Sequence, residues 1–423
     1  MSFKIVFDYI LTRTGVGCGA GLDGLTALLE RLGNPQERFK VIHIAGTNGK
    51  GSVAALTAET LRQAGYKTGL FVSPHLCDPC ERIQVNAQNI SKADFASAVL
   101  QVFQEEEQEL NFFEILTAAA LCHFARAGVD YAVLETGLGG RKDPTNVFTP
   151  AACVITSIGL DHMQLLGSSL AQIAREKAGI IKTGVPCFSG AVNPSAREEI
   201  KKIAKEKNAP LTFVEEGQPF FTYAFDFPNN QTILHTADGQ EWALHALGRR
   251  QGLNACVVYQ LAQCLHIPQA AVRRAFETVR LPGRFEVLHR PGQTLILDGA
   301  HNPQAIELFL EFFKATPYAG KATLLCGFMK DKDYKKMLAL LAPHFKQIVV
   351  TVPSPTRGAG KEEILEALPK GVKVRFFKNP SRALTAVKQE PYVVCAGSFY
   401  LVGFVRRKWL QTLRPQAGKS AQE

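Results

Sequence analysis

The chain of 423 residues contains no apolar run approaching the ~20 residues that a membrane-spanning helix requires. Its opening stretch, MSFKIVFDYILTRTG, carries Asp8 and lacks both a long apolar core and a small-residue cleavage site, so it does not read as a secretory leader. A cytoplasmic protein without a membrane partner is expected. Metal-finger spacing is missing too. Cys77-Asp78-Pro79-Cys80 is a lone C-x-x-C with no second pair and no histidines at ligand spacing, which reads as chance spacing in a loop. The 10 cysteines are scattered, mostly in apolar segments, as reduced buried thiols are. No RNA- or DNA-binding motif accompanies the formal net charge of +10, and the basic residues are spread rather than massed. Nucleic acid is therefore not expected; a polyanionic small ligand, or simply a basic solvated surface, accounts for the charge.

What is present is an ordinary globular composition, 46% hydrophobic and 20% charged, in a chain long enough for two or three domains. The organising stretch is Val41 to Ser52, VIHIAGTNGKGS. Val41 to Ala45 is apolar apart from His43 and predicts a short buried strand. Gly46-Thr47-Asn48-Gly49-Lys50-Gly51-Ser52 follows at once, and a helical pattern runs from Val53 to Ala64. Strand, glycine turn and helix in that order build a phosphate cradle, because glycines let backbone N–H groups face an anion and the helix N-terminus adds partial positive charge. Lys50 is placed to reach the β/γ-phosphates, and Ser52 stands where a hydroxyl can meet Mg²⁺. The strict G-x-x-x-x-G-K-[ST] pattern is broken, since position 44 is Ile and Gly51 separates Lys50 from Ser52.

Along the rest of the chain, strands and helices alternate. Lys67 to Val72 predicts a second strand ending in Ser73-Pro74-His75, and Val129 to Leu134 delivers Glu135 at its tip, well placed for Mg²⁺. Between them lie helical patterns from Ser91 and from Phe112 to Ala127; Glu114 in the latter either faces a pocket or serves the helix N-terminus. Ala152 to Ser157 repeats the strand pattern and leads to Asp161-His162, a histidine that is either a metal ligand or an ordinary loop residue. Ser168 to Gly179 is helical and carries Lys177, by default a surface charge. Val185 to Ser189 and Leu211 to Val214 complete a parallel α/β sheet, and residues 217 to 247 read as an antiparallel β-meander. Asn254 is taken to open a helix, with another near Pro268. After Pro282-Gly283-Arg284 the βα alternation restarts, which predicts a P-loop-type domain over 1–287 and a Rossmann-like α/β domain over 288–423. In the second, Asp298-Gly299-Ala300-His301-Asn302-Pro303 joins the first strand to its helix. The glycine-rich run Gly15 to Gly21 is either a ligand contact or a lead-in, and Pro415 to Glu423 reads as a loose tail.

Eight blocks in order, AGTNGKGS, SPHL, ETGLGGRKDPTN, LDHMQLLG, REKAGIIK, LPGRFE, LDGAHNP and AGSFYLVG, resemble the folylpolyglutamate synthase/dihydrofolate synthase branch of the Mur ligase superfamily. The resemblance implies a ligase that uses ATP to join L-glutamate to dihydropteroate, to tetrahydrofolates, or to both, through an acyl phosphate. Carried over by position, Thr47, Asn48, Gly49, Lys50, Gly51 and Ser52 would hold the triphosphate, with Asn254, Arg284 and Asp298 as further nucleotide contacts. Ser73, Glu135 and His162 would form the Mg²⁺ site. Lys177 matches a lysine carbamylated in the superfamily, which would hold a second ion, and His301 a position near the γ-phosphate. Lys50, Lys177 and His301 are the implied catalytic set. Phe113 and Glu114, with Lys142, Asp143 and Pro144, match the pterin region. A monomer is expected. A Mur-type ligase for a UDP-muramoyl acceptor, a folylpolyglutamate synthase with a single activity, and a non-catalytic ATP switch are the alternatives.

Overall fold

Strand β1 (Lys40–Ala45) is buried at every position after Lys40, which is what a parallel strand covered on both faces demands of its sequence. It lies inside an eight-stranded sheet with β2 (Thr68–Phe71), β3 (Ile83–Val85), β4 (Gln88–Asn89), β5 (Tyr131–Glu135), β6 (Ala152–Ile155), β7 (Cys187–Ser189) and β8 (Leu211–Phe213). Their order is β4-β3-β2-β5-β1-β6-β7-β8. All pairs from β2 to β8 are parallel, whereas the hairpin β3–β4 adds antiparallel to β2. The computed structural model describes residues 1–14, 22–215, 219–369, 372 and 374–413. The Gly15–Gly21 run and the Pro415–Glu423 tail lie outside them.

The described chain divides into two compact units, one holding Met1–His75, Pro79–His245 and Arg249–Arg280, the other Leu76–Asp78, Ala246–Gly248 and Leu281–Glu423. In the first, the helices Phe3–Thr12, Asp23–Arg31, Lys92–Gln104 and Phe112–Ala127 bury one apolar cluster against β1, β2 and β5, through Ile10, Leu28, Phe95, Leu116 and Phe124. A second cluster, including Cys153, Ile173, Ile180 and Ile200, forms around β6 and β7 with the helices Leu170–Ala178 and Pro194–Glu206. The meander is a separate three-stranded sheet, β9 (Phe220–Asp226), β10 (Gln231–Thr236) and β11 (Glu241–Leu244), antiparallel throughout.

The second unit is a six-stranded sheet of order β12-β13-β17-β14-β15-β16. It comprises β12 (Glu286–Arg290), β13 (Gln293–Leu297), β14 (Thr323–Cys326), β15 (Gln347–Thr351), β16 (Val374–Phe377) and β17 (Tyr392–Ala396). Every pair is parallel except β12–β13, a hairpin turned by Pro291-Gly292 with Gly292 at φ +76°.

Three local expectations change. The helix after the glycine turn starts at Lys50 rather than Val53, because Gly49 at φ +90° is its N-cap. The helix expected to open at Asn254 runs from Arg249 to Cys264, so Asn254 lies inside it. Its polar first turn, Arg249-Arg250-Gln251-Gly252, hides the start; Gly252 is required there because a Cβ would lie 2.5 Å from the Tyr223 ring. The edge strands β3, β4 and β12 have no apolar run to announce them. No described helix is long and apolar enough to cross a membrane.

Candidate active site

The glycine turn is braced from the neighbouring strand. β1 pairs with β6, whose end continues into Thr156 and Ser157. The Thr47 N–H donates to the Ser157 carbonyl at 2.7 Å, and the Asn48 N–H to Ser157 Oγ at 3.1 Å. In return Thr156 Oγ1 and Ser157 Oγ donate to the Asn48 carbonyl at 2.8 and 2.9 Å. Thr47 Oγ1 bridges the Gly159 N–H and carbonyl at 3.0 and 3.1 Å. Gly46 is needed for this approach, since at φ +151° a Cβ there would stand 1.9 Å from Thr156 Oγ1. Lys50 folds back towards the Thr47 carbonyl at 3.4 Å, and Ser52 is buried in the first turn of the helix.

The buried helix Arg249–Cys264 brings Asn254 to the same turn: a Cβ on Gly49 would lie 3.1 Å from Asn254 Oδ1. Asn254 Nδ2 donates to Gln251 Oε1 at 3.0 Å. Lys177 also belongs to the cradle and is not a surface charge. It is 4% exposed, and its Nζ donates to the Gly46 carbonyl at 2.8 Å. Burial, and after it the Lys50 charge, lower its ammonium to about 7 against the opposing pull of Asp161 and Asp143.

Glu135, 3% exposed at the tip of β5, accepts from the Ser73 N–H at 3.0 Å, so the two strand ends that carry the expected metal ligands meet. His162 is exposed, caps the short helix Met163–Leu166 at φ +52°, and lies 3.8 Å from Asp161 Oδ1 through Nε2. Among the described residues no three His, Cys, Asp or Glu side chains form a metal cluster. Glu135 and the Ser73 end still suit Mg²⁺, which is ordinarily held by one or two carboxylates with the remaining positions taken by phosphate and water.

The loop after Glu135 is fixed from inside. Asp143, 2% exposed, accepts from the Leu138 N–H at 2.7 Å, the Thr145 N–H at 3.0 Å and Thr145 Oγ1 at 2.5 Å. Burial raises its carboxyl, against the pull of these donors and of Lys50. Lys142 is exposed and Pro144 half-buried. The Phe113 ring covers Gly137, where a Cβ would lie 2.6 Å from it. Glu114 serves its own helix: Oε2 accepts from the Asn111 N–H at 2.8 Å while Asn111 Oδ1 accepts from the Glu114 N–H at 3.0 Å, a capping box.

In the second unit, Asp298 follows β13 and accepts from the Phe285 and Ala300 N–H groups at 2.9 and 2.8 Å. Burial raises its carboxyl and Arg284 lowers it. Arg284 lies 4.4 Å over the Phe399 ring, and His301 packs on the same ring at 5.5 Å with Nδ1 against the Gly299 carbonyl at 2.8 Å. Thr47 to Ser52, Lys177 and Asn254 are thus brought together in one unit, as are Ser73 with Glu135, while Arg284, Asp298 and His301 gather in the other. Thr156, Ser157 and Asp161 were not singled out from sequence, although hydroxyls closing a strand beside the glycine turn were a readable signal.

Two family models match the chain: Mur ligase middle domain over residues 44–262, and Mur ligase, glutamate ligase domain over 283–399. A Bacillus subtilis protein named dihydrofolate synthase/folylpolyglutamate synthase is 35% identical over 352 residues, 79% of this chain and 81% of that one. An Escherichia coli protein of the same name is 32% identical over 392 residues, 91% and 90% of the two chains. Among solved structures, E. coli FolC in complex with DHPP and ADP superposes with a TM-score of 0.87 at 29% identity, covering 98% of this chain and 99% of that one. The Yersinia pestis bifunctional folylpolyglutamate synthase/dihydrofolate synthase complexed with AMPPNP and Mn ion superposes at 0.82 with 28% identity, covering 97% and 98%. By sequence and by fold, the chain belongs to the dihydrofolate synthase/folylpolyglutamate synthase family of Mur-type ligases.

Proposed function

We propose that this protein uses ATP to join the amine of L-glutamate to the carboxylate of dihydropteroate, of a tetrahydrofolate, or of both. The observation that carries this reading is the buried Lys177 amine against the Gly46 carbonyl, directly behind a braced phosphate turn. A nucleotide switch has no use for a buried amine held near neutrality, whereas a ligase that must gather cations around two anions does.

A carboxylate is a poor electrophile, so an acceptor oxygen takes the γ-phosphoryl group from ATP, breaking its bond to ADP. The glutamate amine then attacks the acyl carbon, the bond to phosphate breaks, and the amine nitrogen gives up its proton. The N–H groups of Thr47 to Ser52 and the Lys50 ammonium are assigned to the phosphates, with Asn254, Arg284 and Asp298 as further nucleotide contacts and His301 beside the γ-phosphate. Ser73, Glu135 and His162 are assigned to Mg²⁺, which when bound neutralises charge on the phosphate oxygens. A neutral Lys177 amine adds carbon dioxide, releasing a proton and leaving a carbamate that suits a second ion. Phe113 and Lys142 are assigned to the pterin side, with Glu114, Asp143 and Pro144 positioning the segments that carry them. The phosphate turn and metal ligands are assigned to the ATP-binding part, 1–287, and Asp298 and His301 to the glutamate ligase part, 288–423.

The test is a paired assay with ATP, Mg²⁺, L-glutamate and either dihydropteroate or tetrahydrofolate. Release of ADP with both acceptors establishes two activities, and with one, a single activity. No ADP with either overturns the proposal.

A further inference from the structure

The second unit carries a cavity of about 430 Å³ at the end of its sheet where β13 begins, away from Asp298 at the other end of that strand. Its floor is apolar, made by Leu295, Val387, Val393 and the Trp409 ring. Three cations, Arg290, Lys388 and Lys408, line it, and no carboxylate does. Arg290 is held 4.2 Å over the Trp409 ring and donates to Gln293 Oε1; the amide of Gln293 in turn donates to the Val387 and Glu390 carbonyls at 2.9 and 2.7 Å.

The donors of the wall divide into spent and unspent. Thr412 Oγ1 donates to the Trp409 carbonyl at 2.7 Å and Thr385 Oγ1 to the Ser381 carbonyl at 3.0 Å, so these hydroxyls serve their own helices. The Trp409 indole N–H is buried below the cavity surface and has no hydrogen-bond partner among the described residues. The volume lies within the range of small-molecule sites, which combine an apolar lining with a few polar groups.

We propose that this cavity binds a small organic acid, its apolar body on the Trp409 floor and its carboxylate on Arg290 and the neighbouring lysines. Bare inorganic anions are disfavoured by the apolar floor, and neutral apolar molecules by the cationic wall.

The test uses intrinsic fluorescence of the full chain, which has 2 tryptophans, titrated at constant ionic strength with octanoate, octanol or inorganic phosphate. Octanoate is expected to give a saturable change in emission that is absent in Trp409→Phe. Arg290→Gln keeps the reporter, and its half-saturation is expected to rise about tenfold, as for the loss of one charge-assisted contact. If Trp409→Phe does not fold, as judged by circular dichroism, Arg290→Gln alone decides. Octanol binding as tightly as octanoate, phosphate saturating the site in the same range, or an unaltered octanoate titration in Arg290→Gln overturns the proposal.

Discussion

Replacing Lys177 by Met should stabilise the first unit against acid while abolishing turnover. A lysine moved from 10.5 to about 7 carries an ammonium penalty of about 5 kcal/mol, at about 1.4 kcal/mol per tenfold. The sign follows from proton uptake. Between pH 7 and 10.5 the folded amine is neutral while the unfolded lysine is still protonated, so unfolding takes up a proton and wild-type stability rises with pH. Below pH 7 both states are protonated and the full penalty applies. Lys177→Met lacks this term. The stability of wild type relative to the variant should therefore climb by about 2–3 kcal/mol from pH 7.5 to 9.5, close to the one-proton slope of about 1.4 kcal/mol per pH unit. The hydrogen bond lost to the Gly46 carbonyl does not depend on pH and drops out of that slope. Urea melts in carbon-dioxide-free buffer, read by the buried Trp242 in a Trp409→Phe background, isolate the first unit. A difference that stays level across this range refutes the reasoning, because the ammonium would then not be disfavoured in the fold. Labelled bicarbonate added to wild type should produce a carbamate carbonyl signal by carbon NMR that Lys177→Met lacks.

Gly46→Ala places a Cβ on Thr156 Oγ1 at a φ that L-residues avoid, so it should cost about 1–3 kcal/mol and weaken ADP binding by about tenfold or more. Melting and calorimetry check both, and normal ADP affinity would displace Gly46 from the cradle. Glu135→Gln should keep metal-free ADP binding yet lower turnover by about 10²-fold or more, with a changed Mg²⁺ dependence; an unchanged metal dependence rules Glu135 out as a ligand. Glu114→Ala should lose about 1 kcal/mol with its capping box and raise the acceptor KM, and Glu114→Gln should rescue both, since an amide oxygen still accepts from the Asn111 N–H. Failure of Gln to restore KM would mean that the charge itself meets the acceptor.

The parallel strands were readable because burial on both faces writes them as short apolar runs: β1, β5, β6 and β14 are all such runs. The glycine turn was readable because only glycine serves at Gly46 and Gly49. The edge strands were not, since β12, Glu-Val-Leu-His-Arg, alternates only weakly and is specified by its partner β13. Lys177 was singled out only by the resemblance, and its burial was unreadable from its own helix for a different reason. Helix Leu170–Ala178 has the amphipathic pattern of any surface helix, and what buries its lysine is the Gly46 turn from 131 residues away. Glu114 shows the reverse case: of the two roles its sequence left open, a pocket or the helix N-terminus, the fold shows the second, as a capping box with Asn111.

His43 carries that contrast furthest. It was the one polar residue in an otherwise apolar strand, and a strand sequence offers no role for it. In the fold it is wholly buried, with Nε2 2.8 Å from Thr145 Oγ1. Thr145 has a single hydroxyl proton, and Asp143 takes it. His43 must therefore donate through Nε2, and the neutral ring then carries no proton on Nδ1, which has no partner among the described residues. Burial agrees, lowering the imidazolium to about 3, with the Lys182 charge adding to the effect. The line His43–Thr145–Asp143 ties the strand that carries the glycine turn to the loop that follows Glu135. Breaking it at His43 would leave a buried threonine oxygen and a loosened Asp143. The glycine turn and the acidic strand tip are thus held in one frame by a hydrogen-bond chain whose direction only the folded structure sets.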